Sequence, residues 1–133
     1  MGEYSIVRVE EVPNAVPDGK PGDMRAIARA LGGEQVALTH RVLPPGAGAL
    51  AGDRSIGHSH RTQEEIYYVI SGTLTMKIGD ELVEVGPRSA ALLPPDTVRS
   101  YANQGTEDAE FLILSTRSED IRTEVEMQSD FWP

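Results

Sequence analysis

The chain has 133 residues, 39% of them hydrophobic and 25% charged, with no cysteine and a formal net charge of −9. That length can close one hydrophobic core unaided, and the missing thiols exclude disulfides, thiolate metal sites and cysteine nucleophiles, so any metal must be held by imidazole and oxygen. Acidic residues are spread along the chain and Lys and Arg form no cluster, which argues against nucleic acid or an anionic membrane and leaves a small molecule or another protein as partner.

The opening stretch MGEYSIVRVEEV has no basic segment followed by an apolar run, and no window of the chain has the length of a membrane span, so a soluble, cytoplasmic protein is expected. Ile6 to Val12 reads as a strand, and Val12 to Asp23, rich in Pro and Gly, as a loop. Met24 to Leu31 (MRAIARAL) carries helix-forming alanines and arginines. The Gly32-Gly33 that follows and the strand beyond it favour one arm of a hairpin. Gln35 to Leu43 is that strand, and its Val36, Leu38, His40 and Val42 form a stripe that reads as core-facing. On this stripe His40 is either a hydrogen-bonded packing residue or a group lining a ligand cavity from a neighbouring strand.

Pro44 to Gly57 reads as a loop. Further strands follow at Glu65 to Ile70, Thr73 to Ile78, Leu82 to Val85, Ala90 to Leu93, Val98 to Ala102 and Phe111 to Ser115, with Gly79-Asp80 as a tight hairpin turn. Many short strands at roughly ten-residue spacing, with no repeat and no low-complexity tract, predict a single all-β domain over residues 1–133, an antiparallel sandwich or barrel. The tail from residue 117 to 133 is charged until Phe131 and Trp132, which are expected to dock on the barrel or on a second subunit.

Between the loop and the Glu65 strand lies GHSHRTQEEIYYVISG, which holds two of the three histidines in the chain. On a strand, His58 and His60 emerge on one face, and Glu65 shares a face with Tyr67 and Val69. A hairpin between the two segments would bring Glu65 beside the imidazoles. Two imidazoles and one carboxylate are the ligand set of a mononuclear divalent metal site with open positions. Alternatively, both histidines are exposed loop residues, since the surrounding DRSIGHSHRTQ is polar.

The complete frame is Gly52, five residues, His58, one residue, His60, four residues, Glu65, six residues, Gly72. It closely resembles the first signature motif of the cupin family. Glu64 fits the shorter spacing that motif allows, but only Glu65 leaves six residues before Gly72. The resemblance covers residues 36–116 and implies a double-stranded β-helix, a jelly-roll barrel with the N-terminal strands in residues 1–35 outside its core. The barrel interior would carry a divalent ion (Fe, Mn, Ni or Zn) on His58, His60 and Glu65, and a small-molecule pocket. It further implies dimers formed through sheet edges, hence a homodimer here.

The second motif of the family matches RSAALLPPDTVRSYAN in part. Pro94 and Asn103 agree, whereas Arg88 and Asp96 stand where glycines are usual, and Arg99 stands where a fourth-ligand histidine is usual. A guanidinium has no lone pair to donate and cannot coordinate a cation. Three arrangements follow. A metal binds to the three remaining ligands and Arg99 holds an anionic substrate group; or no metal binds and Arg99 pairs with Glu65; or Arg99 turns outward. Tyr67 and Tyr101 can present hydroxyls to a ligand or serve as core aromatics, and Gln63 can contact substrate or simply occupy the turn. The family implies a metal-dependent dioxygenase, isomerase, decarboxylase, lyase or cyclase acting on a small, anionic organic molecule. The other reading is a metal-free binding or sensing module in which Arg99 supplies the positive charge.

Overall fold

A computed structural model of the chain describes residues 2–133. Its ten strands form two five-stranded antiparallel sheets. The first contains, in spatial order, β1 (Asp23–Ala26), β2 (Val36–Leu43), β9 (Ala109–Thr116), β4 (Glu65–Ser71) and β7 (Ala90–Leu93). The second contains β10 (Val125–Gln128), β3 (Gly57–His60), β8 (Arg99–Ala102), β5 (Leu74–Ile78) and β6 (Glu81–Val85). This is the all-β barrel expected from the many short strands and, in its topology, the jelly roll that the motif resemblance implies; no helix among the described residues is long and apolar enough to cross a membrane.

Alternation along the strands divides the interior into two ends. In register, Glu65, Tyr67 and Val69 of β4 stand beside Ser115, Ile113 and Phe111 of β9. Val69 and Phe111 join Leu43, Leu74, Met76, Val85, Leu93 and Ala109 in a fully apolar end that seals the barrel. Burying these aliphatic and aromatic side chains contributes about 1.5–3 kcal/mol each. The other end, where Glu65, His58 and His60 project, is polar and opens into a cavity.

Several expectations need correction. Ile6 to Val12 forms no strand: Ile6 is 84% exposed, and the segment makes only a 3-10 turn at Val9–Glu11. The chain just beyond it makes only the isolated bridge Asn14–Arg25, and Pro13 and Pro17 on either side of that bridge lack the amide donors that would extend it. Met24 to Leu31 divides between both readings. Its first residues belong to β1, which pairs with β2 from Asp23↔Val42 to Ala26↔Thr39, while Ile27–Ala30 forms a single helical turn, α1, built from the Ala- and Arg-rich half.

The stripe on β2 faces the other way. Leu43 and Arg41 are buried inside, and Val36 at 59% exposure belongs to the outer face. Both faces of this strand carry apolar residues, so period-two alternation fixed no side; the inward register follows from Leu43 packing in the sealed end. Two further strands complete the second sheet, one on which the metal reading depended and one that was not expected. β3 carries the histidines, and β10, preceded by the helical turn α2 (Ile121–Glu124), arises within the charged tail. Phe131 and Trp132 dock on the barrel beside Val98 and Ala102. Lys77 Nζ stands 3.8 Å from the Phe131 ring centre and the Arg54 guanidinium 4.9 Å from that of Trp132.

The glycines of the first motif have steric reasons. Gly72 has φ +74°, and a Cβ there would stand 2.2 Å from the Asp108 carbonyl oxygen. Gly72→Ala therefore combines left-handed strain with a backbone clash and should lower stability by about 2 kcal/mol or more, read as a reduced urea midpoint in equilibrium unfolding.

Candidate metal centre

Gly57 and Ser59 face the docked tail, so His58 and His60 both point into the barrel from β3. Glu65 opens β4 and shares its inward face with Tyr67 and Val69, all buried, while Ile66, Tyr68 and Ile70 lie outside. The two strands belong to opposite sheets. The carboxylate therefore reaches the imidazoles across the interior and not from a hairpin neighbour, because the turn after His60 carries the chain from one sheet to the other.

His60 Nε2 lies 3.4 Å from Glu65 Oε2, and His58 Nε2 lies 3.9 Å from Oε1. One donor atom from each of the three residues falls within 4.8 Å of the others. The orientation of His60 is set by a chain of bonds. Gln63 donates its amide Nε2 to the Thr116 carbonyl, which leaves Oε1 to accept from His60 Nδ1 at 2.9 Å. In the neutral ring the lone pair then sits on Nε2, aimed at the Glu65 carboxylate. The Nε2···Oε2 contact then needs a cation between the two atoms, a proton on the ring or a metal ion, so the donor set fits a divalent ion held by imidazole and oxygen. Gln63 is itself fixed: its backbone N–H and that of Thr62 donate to Glu124 Oε1 at 2.7 and 2.8 Å, and the Thr62 hydroxyl donates to Oε2 at 2.8 Å.

The electrostatics support a charged carboxylate beside an uncharged imidazole. Burial first and then Arg99, against the opposing pull of Glu65, lower the His58 pKa to about 4, so this ring is neutral near pH 7 with a lone pair available. Burial opposes ionisation of Glu65, but the hydrogen bond and charge of His60, the Arg99 guanidinium and the bond from Tyr67 together outweigh it and hold the carboxyl below its ordinary value. Tyr67 donates its hydroxyl to Glu65 Oε1 at 2.9 Å; burial first, then the Glu65 charge, keeps that hydroxyl protonated far above its usual range.

Arg99 sits directly opposite His58 in the β3–β8 register and is fully buried, so the outward-turned arrangement is excluded. Its Nη1 donates to the Thr97 carbonyl at 2.8 Å, its Nη2 lies 3.6 Å from Glu65 Oε1, and its Nε and Nη2 make no hydrogen bond. The other departures from the second motif are local. Arg88 and Asp96 both adopt φ 60°, the left-handed conformation that explains glycine there. Asn103 is buried and bridges loops, donating to the carbonyls of Leu43 and Glu107 at 2.8 and 2.7 Å.

The remaining predicted residues separate. Tyr101 points inward, its ring edge-on to Tyr67 at 5.5 Å between centres. His40 is on the outer face of the first sheet, its Nε2 2.8 Å from Glu110 Oε2, and does not line the cavity. Glu64 stays outside the donor cluster. The cavity measures about 460 Å³ and is lined by the three donors with Tyr67, Tyr101, Ile113 and several residues missed in the sequence: Arg41 from β2, and Val125 and Met127 from β10. Arg41 was missed with the face of β2. Val125 and Met127 alternate within a charged tail, a period-two signal too short to stand out.

A cupin-domain family model matches residues 40–115, and the chain belongs to that family. An uncharacterised protein of Methanocaldococcus jannaschii is 29% identical over 83 residues, 62% of each chain, so the match spans less than two thirds of that relative. The sugar phosphate isomerase of the cupin superfamily from Silicibacter pomeroyi superposes with a TM-score of 0.72 at 19% identity, covering 94% of this chain and 92% of that one. The oxalate decarboxylase of Bacillus subtilis superposes at 0.71 with 24% identity, covering 95% of this chain and 33% of the enzyme. These likenesses establish the shared fold.

Because the unfolded His58 titrates near 6.5 and the folded one near 4, the stability it contributes is complete above pH 6.5 and is lost as pH falls toward 4. Urea unfolding across that window should show stability rising with pH, with a shallower slope in His58→Asn; an unchanged slope would remove His58 from the buried site.

Proposed function

We propose that this cupin binds a divalent metal through His58, His60 and Glu65 and receives a small anionic organic molecule beside it. The observation that supports this reading is the set of three donors within 4.8 Å, with His60 turned by Gln63 so that its free nitrogen faces the carboxylate. A divalent ion with open positions would polarise a carbonyl or carboxylate oxygen, or acidify a water. The residues have separable tasks: Gln63 fixes the His60 ring and Tyr67 fixes the carboxylate. The solved relatives include an isomerase and a decarboxylase by name. That range supports small-molecule chemistry in the cavity and leaves the reaction class open.

A second reading rests on a different observation. Arg99 Nη2 stands 3.6 Å from Glu65 Oε1 with hydrogen-bonding capacity unused. In this reading Arg99 neutralises Glu65, no metal binds, and the barrel holds its ligand by charge alone.

Elemental analysis of protein purified without an affinity tag or chelator separates the two. Near-stoichiometric metal in the wild type that disappears in His58→Ala/His60→Ala supports the metal centre; absence from both supports the metal-free cavity. For the metal centre, Arg99→His replaces a repelling cation with a donor, and metal affinity measured by chelator competition should rise by at least about tenfold.

A further inference from the structure

Arg41 is a buried charge that the proposed metal centre does not use. It is 2% exposed, and no carboxylate among the described residues lies within ion-pair distance. Its acceptors are all neutral: Nη1 donates to the Ala49 carbonyl at 2.6 Å and to the Tyr101 hydroxyl at 2.7 Å, and Nε reaches the Asp23 carbonyl only at 3.4 Å. Among the described residues Nη2 has no hydrogen-bond partner, and the side chain lines the same cavity as the three donors.

A buried guanidinium without a counter-charge costs several kcal/mol unless something compensates it. Arg99 has Glu65; Arg41 has dipoles and the Tyr101 ring, 5.6 Å from its guanidinium carbon, but no carboxylate. The two arginines and one carboxylate leave the polar interior with an excess positive charge. Neutral acceptors fix the orientation of Arg41 without satisfying its charge, which is how a preformed anion site is built.

The rest of the cavity wall limits the anion. Leu50, Ile56, Val125 and Met127 line it, and Leu50 and Met127 are 45% and 58% exposed, which places apolar surface toward solvent. Such a wall offers few partners for the hydroxyls of a sugar phosphate and suits an apolar body. We infer that Arg41 is the anion subsite of the cavity and that the ligand is a small carboxylic acid whose carboxylate pairs with Arg41 while an apolar body lies against Leu50, Ile56 and Met127. This deepens the proposed reading of the cavity, on which it rests for the ligand entering beside the three donors.

Calorimetric titration tests it with hexanoate, phenylacetate, their neutral amides and fructose 6-phosphate, in protein stripped with EDTA and in protein reloaded with Mn²⁺. Each acid should bind the stripped protein about tenfold or more tighter than its amide. Arg41→Gln should bring acid and amide together, and Arg41→Lys should retain part of the difference. Thermal unfolding checks that the variants fold, and the acid–amide comparison in the wild type needs no variant. Overturning results are equal or absent binding of acid and amide, a preference that survives Arg41→Gln, or tighter binding of the sugar phosphate than of the acids. Because the stripped protein is measured separately, failure of the metal reading leaves an Arg41-dependent preference intact, while loss of the preference with metal still bound refutes only the subsite.

Discussion

A single buried carboxylate organises the polar end of this barrel. Glu65 accepts from Tyr67, faces the side-chain nitrogens of both inward histidines and stands beside Arg99. His60, Arg99 and Tyr67 stabilise the ionised form against burial. Replacing Glu65 by an apolar residue would leave a buried guanidinium and an oriented imidazole with nothing to face, a costlier outcome than losing one hydrogen bond. The carboxylate also joins the two sheets electrostatically. It comes from the sheet of β2 and β9, while His58, His60 and Arg99 come from the other, so the attraction acts across the barrel where there are no ladder bonds.

Charge balance then explains why a histidine-to-arginine change in the second motif is tolerated. A cation buried opposite His58 is compatible with the fold because Glu65 is close enough to compensate it and Thr97 accepts one of its protons. The same proximity makes Arg99 and a divalent ion competitors for one carboxylate. In the proposed metal centre the arginine is displaced toward an anion or binds Glu65 from the side opposite the metal. In the metal-free reading it retains the carboxylate. The structure separates this local competition from Arg41, which is linked to the donors only through the Tyr101 and Tyr67 rings.

Much of the architecture was legible because strand signals are local: turn residues, β-branched runs and the Gly79-Asp80 hairpin mark β5 and β6 directly. The histidine–glutamate frame was legible through its resemblance to the cupin motif, and the structure gives the two glycines of that frame, Gly52 and Gly72, a reason in their positive φ. What stayed hidden depends on pairing between distant segments. Arg41 lies on the inward face of β2 only because Leu43 packs at the sealed end, and the sequence of β2 is apolar on both faces. His40 was placed on the wrong side for the same reason. The route of Glu65 across the barrel is likewise a fact of topology, since residue spacing alone does not distinguish a hairpin from a crossover between sheets.

The tail shows how far such long-range pairing reaches into the site. β10 takes up the open edge of β3, with Val125 opposite His60 and Met127 opposite His58, so the strand carrying two donors is held between β8 and the last part of the chain. An unpaired edge at that position would leave the backbone of the ligand strand free to fray or to recruit another chain. Phe131 anchors this arrangement from the opposite face, packed so closely over Gly57 that a Cβ there would stand 2.7 Å from its ring. Glu124, at the start of the same segment, accepts the amides of Thr62 and Gln63 and so fixes the residue that orients His60. A segment that reads as charged surface is therefore structural support for the donor cluster: it supplies one wall of the cavity, closes the sheet edge and sets the second neighbours of an imidazole.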